Sequence, residues 1–235
     1  MNVIPRKYKD GWSFKSIYGA VLYTLLVPIV FTVYVLFSYI FTAHTTNPNQ
    51  FVDSMKNFPF GIFTSLFVFD GVSNVGGVVE YYVSFFLLIL VILGIDVPVD
   101  REIVNKSIKH LALFSTIAMF AIAIMGNLFW VEIYRVGAYG QSGVLYSFAG
   151  IVISTAVALP IYVFAAHIDE TRKLMIAEVV ALAVILMLSY IIIRAYSSLL
   201  FNVSDGVAYP VHAFTFITGF FAGLVFWMHT INKTS

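Results

Sequence analysis

Two polar residues far apart in the chain, Ser142 and His212, have the chemical types of a hydrolytic pair. A serine hydroxyl is a poor nucleophile until a base removes its proton. Histidine changes protonation near neutral pH, so an imidazole can accept that proton and later return it to a leaving amine. Acyl transfer is therefore the chemistry that these residues would perform if the fold brought them together.

Glycines flank the serine in the segment Gly140-Gln141-Ser142-Gly143. Without side chains, Gly140 and Gly143 allow another helix or a substrate backbone to approach the serine closely. If a helix begins here, its first N–H groups have no partner within the helix and can bind an oxyanion. The alternative interpretation of the segment is tight helix packing, and a single histidine at a helix end is often only an interfacial residue.

The composition of the chain is that of a membrane protein. Of its 235 residues, 60% are hydrophobic and only 11% are charged, and the mean hydropathy is +0.93. Soluble domains are roughly half apolar and about a quarter charged, so this class is excluded. A formal charge of +1 offers no basic surface for nucleic acid. The absence of cysteine excludes disulfides, thiolate metal sites and a cysteine nucleophile.

Crossing a bilayer core takes about 20 mostly apolar residues in a helix. Six stretches meet this requirement, over residues 18–42, 74–95, 111–130, 142–166, 174–199 and 211–228. They are apolar all round, which favours helices over the alternating strands of a barrel. We therefore predict an all-α polytopic membrane protein whose residues 1–235 form a single membrane-embedded domain.

The positions of lysine and arginine predict the orientation of these spans. Only three of the 13 lie on the outer side: Lys56 and Arg135 follow spans one and three, and Arg194 lies near the outer end of span five. The remainder lie at the termini or after spans two and four, so both termini are predicted to be cytoplasmic, and the cell membrane is the expected location. Ser142 begins span four and His212 begins span six, so both are expected at one depth near the extracytoplasmic surface.

Small residues in span six would let it approach a neighbouring helix closely. Gly219 and Gly223 form a small-xxx-small seam that extends toward Thr215. The connection 43–73 is rich in phenylalanine, which predicts that it lies in the outer membrane interface as an anchor or as part of a lateral gate. Asn127, near the outer end of span three, either lines an aqueous cavity or makes a packing contact.

These motifs resemble the rhomboid family of intramembrane serine proteases. The segment 140–150, GQSGVLYSFAG, contains Gly-x-Ser-Gly, an aromatic residue four positions after the serine and a glycine one turn beyond. His212, followed by Thr215, Gly219 and Gly223, resembles the catalytic-histidine helix of the family, which commonly has glycine in place of this threonine. A serine on the fourth of six spans and a histidine on the sixth are also similar to that family.

The resemblance implies a six-transmembrane-helix rhomboid-like bundle with a Ser142–His212 dyad and no acid. It implies that Tyr146 packs under the ring of His212 and holds it in place. It further implies that the substrates are transmembrane segments of other proteins, cleaved near the extracytoplasmic face. No cofactor is expected, and no metal is assigned because the other histidines lie at span ends without ligand spacing.

One departure from the family pattern lies at the start of span two. Rhomboids typically have His-x-x-x-Asn there, and those side chains help to stabilise the oxyanion. Asn74 stands at the histidine position and Val78 at the asparagine position. An asparagine amide can still donate, so the N–H of Ser142 and the amide of Asn74 are the expected oxyanion donors. Because losing one donor typically costs about 2.7–4 kcal/mol, two interpretations stay open: an active protease, and an inactive relative that binds transmembrane helices.

A small transporter is a third interpretation. It predicts broken helices at related positions of two halves and a polar site near the centre of the membrane. No such halves are evident in this sequence, and its polar residues are grouped near the outer face. The pattern therefore favours the two rhomboid-like interpretations.

Overall fold

A computed structural model of the chain describes residues 22–44, 59–68, 101–134, 142–166 and 209–234, together with six residues between the second and third of these ranges: 79, 82, 83, 85, 86 and 89. All secondary structure in this part of the chain is helical. The helices are α1 (Leu26–His44), α2 (Phe60–Thr64, followed by a 3-10 turn at Ser65–Phe67), α3 (Arg101–Tyr134), α4 (Ser142–Ala166) and α5 (Tyr209–Thr234).

Three helices are long and apolar enough to cross a membrane, as judged by length and composition in the described ranges. They are Leu22–His44, Lys106–Ile133 and Pro210–Thr230. α4 occupies the residues of the fourth apolar run. Most of the second run and all of the fifth lie outside the described residues, so the full set of six spans stays a prediction.

Contacts between side chains define the relative directions of the helices. Ser147 on α4 bonds the carbonyl of Met119 on α3 at 2.8 Å, while Gly143 faces Ala123, so α3 and α4 are antiparallel. α5 runs parallel to α4, since Gly219 faces Ser147 near one end and Trp227 bonds Thr155 near the other. The starts of α4 and α5 therefore lie at the same end of the bundle.

The third helix differs from its prediction at its start. The apolar run begins at Leu111, whereas the helix begins at Arg101 and contains 34 residues. At 1.5 Å per residue this helix is about 50 Å long, well beyond a bilayer core of about 30 Å. Lys106 and Lys109 are exposed on this extension, where Lys109 places its ammonium 4.7 Å from the centre of the Tyr23 ring. A run chosen by hydropathy ends where charges begin, but straight-chain charged residues continue a helix readily.

The described part of the phenylalanine-rich connection folds back onto the bundle. Ile62 and Leu66 are buried, while Phe60 and Phe63 are 76% and 50% exposed. The hydroxyl of Tyr34 on α1 donates to the carbonyl of Leu66. One side of this turn is thus held by the helices and the other presents aromatic rings, an arrangement that suits an interfacial anchor. A gating role stays a prediction.

Candidate functional site

The first turns of α4 and α5 bring Ser142 and His212 together. Ser142 is the first residue of α4 and His212 is the fourth of α5. Because the two helices are parallel, both residues lie at the same end of the bundle, and the Nε2 atom of His212 is 2.8 Å from the Oγ atom of Ser142. In the tautomer of His212 that carries its proton on Nδ1, Nε2 accepts a hydrogen bond from the hydroxyl of Ser142. The pair therefore has the geometry in which a base removes the proton of a nucleophile.

The imidazole of His212 is stacked on the ring of Tyr146. The ring centroids are 4.4 Å apart and the ring planes differ by 24°. Tyr146 lies four residues after Ser142, so the two side chains share one face of α4. The same helix thus supplies both the hydroxyl and the surface that orients the imidazole toward it.

The start of α4 also supplies hydrogen-bond donors. The first N–H groups of a helix have no partner within it, and the helix dipole places partial positive charge there. The first turn of α4 contains no acidic residue that would compete for these donors. Negative charge that develops on a carbonyl oxygen beside Ser142 is therefore favoured by the backbone alone. Gly140 and Asn74, the other predicted contributors, lie outside the described residues.

Glycines determine how closely α4 and α5 pack. A Cβ atom built on Gly219 would lie 2.2 Å from the carbonyl oxygen of Ser147, and one on Gly150 would lie 2.2 Å from that of Phe216. One built on Gly223 would meet the Ser154 hydroxyl at 1.8 Å. In the predicted seam, a side chain at Gly219 would clash with backbone, whereas one at Gly223 would require the Ser154 side chain to move.

Gly143, which faces α3, has more room than the glycines between α4 and α5. A Cβ atom there would meet its nearest neighbour, the Cβ atom of Ala123, at 3.5 Å, which is ordinary van der Waals contact. The close approach expected at this position is therefore made further along α4, at Gly150. What Gly143 provides beside Ser142 is the absence of a side chain in the first turn.

Asn127 makes a packing contact. Its Nδ2 atom donates to the carbonyl of Ile62 at 3.2 Å and to the hydroxyl of Ser65 at 2.9 Å, and the residue is 5% exposed. These bonds hold the turn after α1 against the end of α3. Of the two predicted roles for this residue, the packing role is the one that the contacts support.

We expect the substitution Asn127→Ala to release this turn. It removes two buried hydrogen bonds and leaves the Ile62 carbonyl without this donor, which costs about 1–3 kcal/mol. The free energy of unfolding in mixed micelles should fall by that amount, and amide exchange over residues 60–67 should accelerate. Ser65→Ala serves as the milder control: it removes one acceptor of Asn127 and the 3.4 Å bond that the Ser65 hydroxyl donates to the Ile62 carbonyl, but it keeps the bond from Asn127 to that carbonyl. Unchanged exchange in the Asn127 variant would contradict the assignment.

Titratable residues elsewhere do not form a second cluster within the described ranges. His44 bonds the carbonyl of Ile40 on its own helix at 2.9 Å, and His110 and His229 are exposed. No three histidine or carboxylate side chains come together there in a way that would hold a metal ion. The Ser142–His212 pair is thus the arrangement in this part of the protein that carries chemistry.

Comparisons of the chain with models of protein families, with curated proteins and with solved structures find no match. The assignment of function therefore rests on the residues of this chain and their geometry.

Proposed function

We propose that the protein is an intramembrane serine protease of the rhomboid type, in which Ser142 is the nucleophile and His212 is the general base. The observation that carries this proposal is the 2.8 Å contact between the hydroxyl and the imidazole, contributed by two helices and separated by 70 positions in the chain. The stacked ring of Tyr146 supports it, since an imidazole held in one orientation is what general-base catalysis needs.

The proposed reaction begins at the Ser142 hydroxyl. As its oxygen bonds to a peptide carbonyl carbon of the substrate, its proton moves to Nε2 of His212. The carbonyl oxygen becomes an oxyanion, which accepts hydrogen bonds from the N–H of Ser142 and from the amide of Asn74. The C–N bond then breaks, and His212 returns the proton to the departing amine. Water attacks the remaining ester in the same way and regenerates the serine.

The substrate class follows from where the dyad lies in the predicted topology. In the predicted topology of six spans with both termini in the cytoplasm, the starts of α4 and α5 lie near the extracytoplasmic face of the cell membrane. The substrates proposed are therefore transmembrane segments of other proteins that reach the site from the bilayer. A peptide carbonyl in an intact helix is shielded, so segments with helix-breaking residues near that face should be cleaved preferentially.

A catalytically inactive, helix-binding relative is the second candidate. The replacement of the family's His-x-x-x-Asn by Asn74 and Val78 favours it, because this departure removes oxyanion donors. Both residues lie outside the described ranges. A measurement on the serine itself separates the two candidates.

Labelling with a fluorophosphonate probe in detergent tests whether Ser142 is activated. We expect the wild-type protein to be labelled at Ser142 and the Ser142→Ala variant to be unlabelled, because the probe requires an activated hydroxyl. Ser147→Ala is the matched control on the same helix, since Ser147 is fully buried and bonded to α3. This control should be labelled like the wild type. A wild-type protein that is folded but unlabelled would favour the helix-binding candidate.

A further inference from the structure

Thr215 lies one turn after His212 on α5 and is fully buried. Its Oγ1 atom is 2.8 Å from the carbonyl oxygen of Val211 and 3.1 Å from that of His212. Both carbonyls belong to the turn that carries the imidazole. The hydroxyl of Thr215 is therefore tied to the backbone of the turn on which the proposed base is mounted.

The methyl group of Thr215 points toward the other two helices of the site. A Cβ atom built on Gly126 of α3 would lie 2.5 Å from the Cγ2 atom of Thr215, and one on Gly143 of α4 would lie 3.8 Å from it. The methyl therefore fills the place that a side chain at Gly126 would occupy. It sits where α3, α4 and α5 meet, beside the first turn of α4.

The hydroxyl and the methyl of Thr215 cannot be oriented independently. Both are attached to Cβ, and a β-branched side chain has few staggered positions in a helix. A hydroxyl turned back onto the Val211 and His212 carbonyls leaves the methyl directed at Gly126. The hydrogen bond thus fixes the direction of a wedge that separates α5 from α3.

We propose that Thr215 is a positioning residue for His212. Its methyl, seated against Gly126, sets the separation of the first turn of α5 from α3, and its hydroxyl fixes that turn relative to the methyl. Together they set the distance between Nε2 of His212 and Oγ of Ser142. Rhomboids commonly have a glycine on the histidine helix at the position of Thr215. In this protein the small residue at that contact is Gly126 of α3. The inference rests on the proposed function for its catalytic consequence, but the geometry that it describes does not.

A set of four proteins tests this role: the wild type, Gly126→Ala, Thr215→Ser and the double variant. Gly126→Ala introduces a methyl where the threonine methyl lies, so α5 must move away from α3. Thr215→Ser keeps the hydroxyl but removes that methyl, so it makes room for the alanine. The double variant therefore restores the contact between α3 and α5 that Gly126→Ala breaks. The added methyl would still lie 3.2 Å from the Cγ1 atom of Val211, which must shift by a few tenths of an ångström.

The rate of fluorophosphonate labelling should follow this pattern. We expect Gly126→Ala to label about 100-fold more slowly, the loss that a displacement of about 1 Å can produce. The double variant should label at least about tenfold faster than Gly126→Ala. Thr215→Ser alone introduces no clash, so it tests the role even if Gly126→Ala does not fold, and it should label about tenfold more slowly.

A spectroscopic measurement distinguishes positioning from general stability. The ¹⁵N chemical shift of His212 Nε2 reports its bond to Ser142 and can be assigned among the five histidines by comparison with His212→Ala. In Gly126→Ala and Thr215→Ser this shift should move toward its value in Ser142→Ala, and in the double variant it should return toward the wild type. Thr155→Val is the control, because it removes the hydrogen bond to Trp227 about 20 Å further along α5. It should lower the unfolding midpoint without moving the His212 signal.

The two hypotheses fail in different ways. A wild-type protein without labelling overturns the proposed protease, while the His212 shift still reports the geometry. If Gly126→Ala and Thr215→Ser keep the wild-type shift, or if the double variant behaves no better than Gly126→Ala, the positioning role of Thr215 is wrong. A control whose shift moves as far as that of Gly126→Ala would also overturn it, since any loss of stability would then have the same effect.

Discussion

Replacement of His212 by alanine is expected to lower the rate of cleavage of a single-span substrate by about 10²–10⁴-fold, the contribution typical of a positioned general base. The reason is the contact at 2.8 Å, through which the imidazole takes the proton of Ser142 in the proposed mechanism. Adding Ser142→Ala to this variant should lower the rate no further than Ser142→Ala does alone, because a nucleophile and its base act as one unit. The measurement is the rate of appearance of the cleaved fragment in reconstituted vesicles.

A matched control for this prediction lies on the same helix. His229 is exposed and follows His212 by more than four turns of α5, so His229→Ala should cleave at the wild-type rate. Folding of each variant is checked by its unfolding midpoint in detergent. Cleavage by His212→Ala at a rate near that of the wild type would eliminate the imidazole as the base. An effect of His212→Ala that adds fully to that of Ser142→Ala would mean that the two residues act separately.

The pairing of Ser142 with His212 could be predicted from the sequence because each residue begins an apolar run, and charge bias predicts the same side of the membrane for both. The stacking of Tyr146 on the imidazole was expected from the resemblance to rhomboids, and the observed 4.4 Å between ring centroids agrees with it. The bounds of α4 were predictable for a similar reason. Its apolar run begins directly after a polar, glycine-containing segment, where the helix also begins.

The contacts that Gly126 and Asn127 make with other helices could not be predicted from the sequence. Gly126 had no spacing or motif that distinguished it, and its importance arises only because Thr215 of another helix occupies the space beside it. For Asn127 the sequence leaves two alternatives open, since a polar residue near a span end can face either water or protein. Its partners, Ile62 and Ser65, precede it by more than 60 positions. Such pairings depend on how whole helices pack, which local patterns do not encode.

The second large effect is expected at Gly219, whose substitution by alanine should lower the free energy of unfolding by about 3 kcal/mol or more, at the upper end of overpacking costs. The added methyl would lie 2.2 Å from the carbonyl oxygen of Ser147 and 3.1 Å from its Cα atom. These are backbone atoms inside α4, so no side-chain rotation can relieve the clash. The gain in helix propensity on replacing glycine by alanine, about 1 kcal/mol, is too small to offset it.

A comparison of glycines on the two helices isolates this steric cause. Gly143→Ala adds the same methyl at 3.5 Å from its nearest neighbour, so its unfolding free energy should not fall. Gly150→Ala meets the backbone of α5 at 2.2 Å and should be as destabilising as Gly219→Ala. Since either methyl alone forces α4 and α5 apart, the double variant should cost less than the sum of the two. The free energy of unfolding in mixed micelles is measured for all four variants. If the losses of Gly150→Ala and Gly219→Ala add fully, or if Gly143→Ala loses as much as Gly219→Ala, then the close contact of α4 and α5 does not determine the stability of the protein.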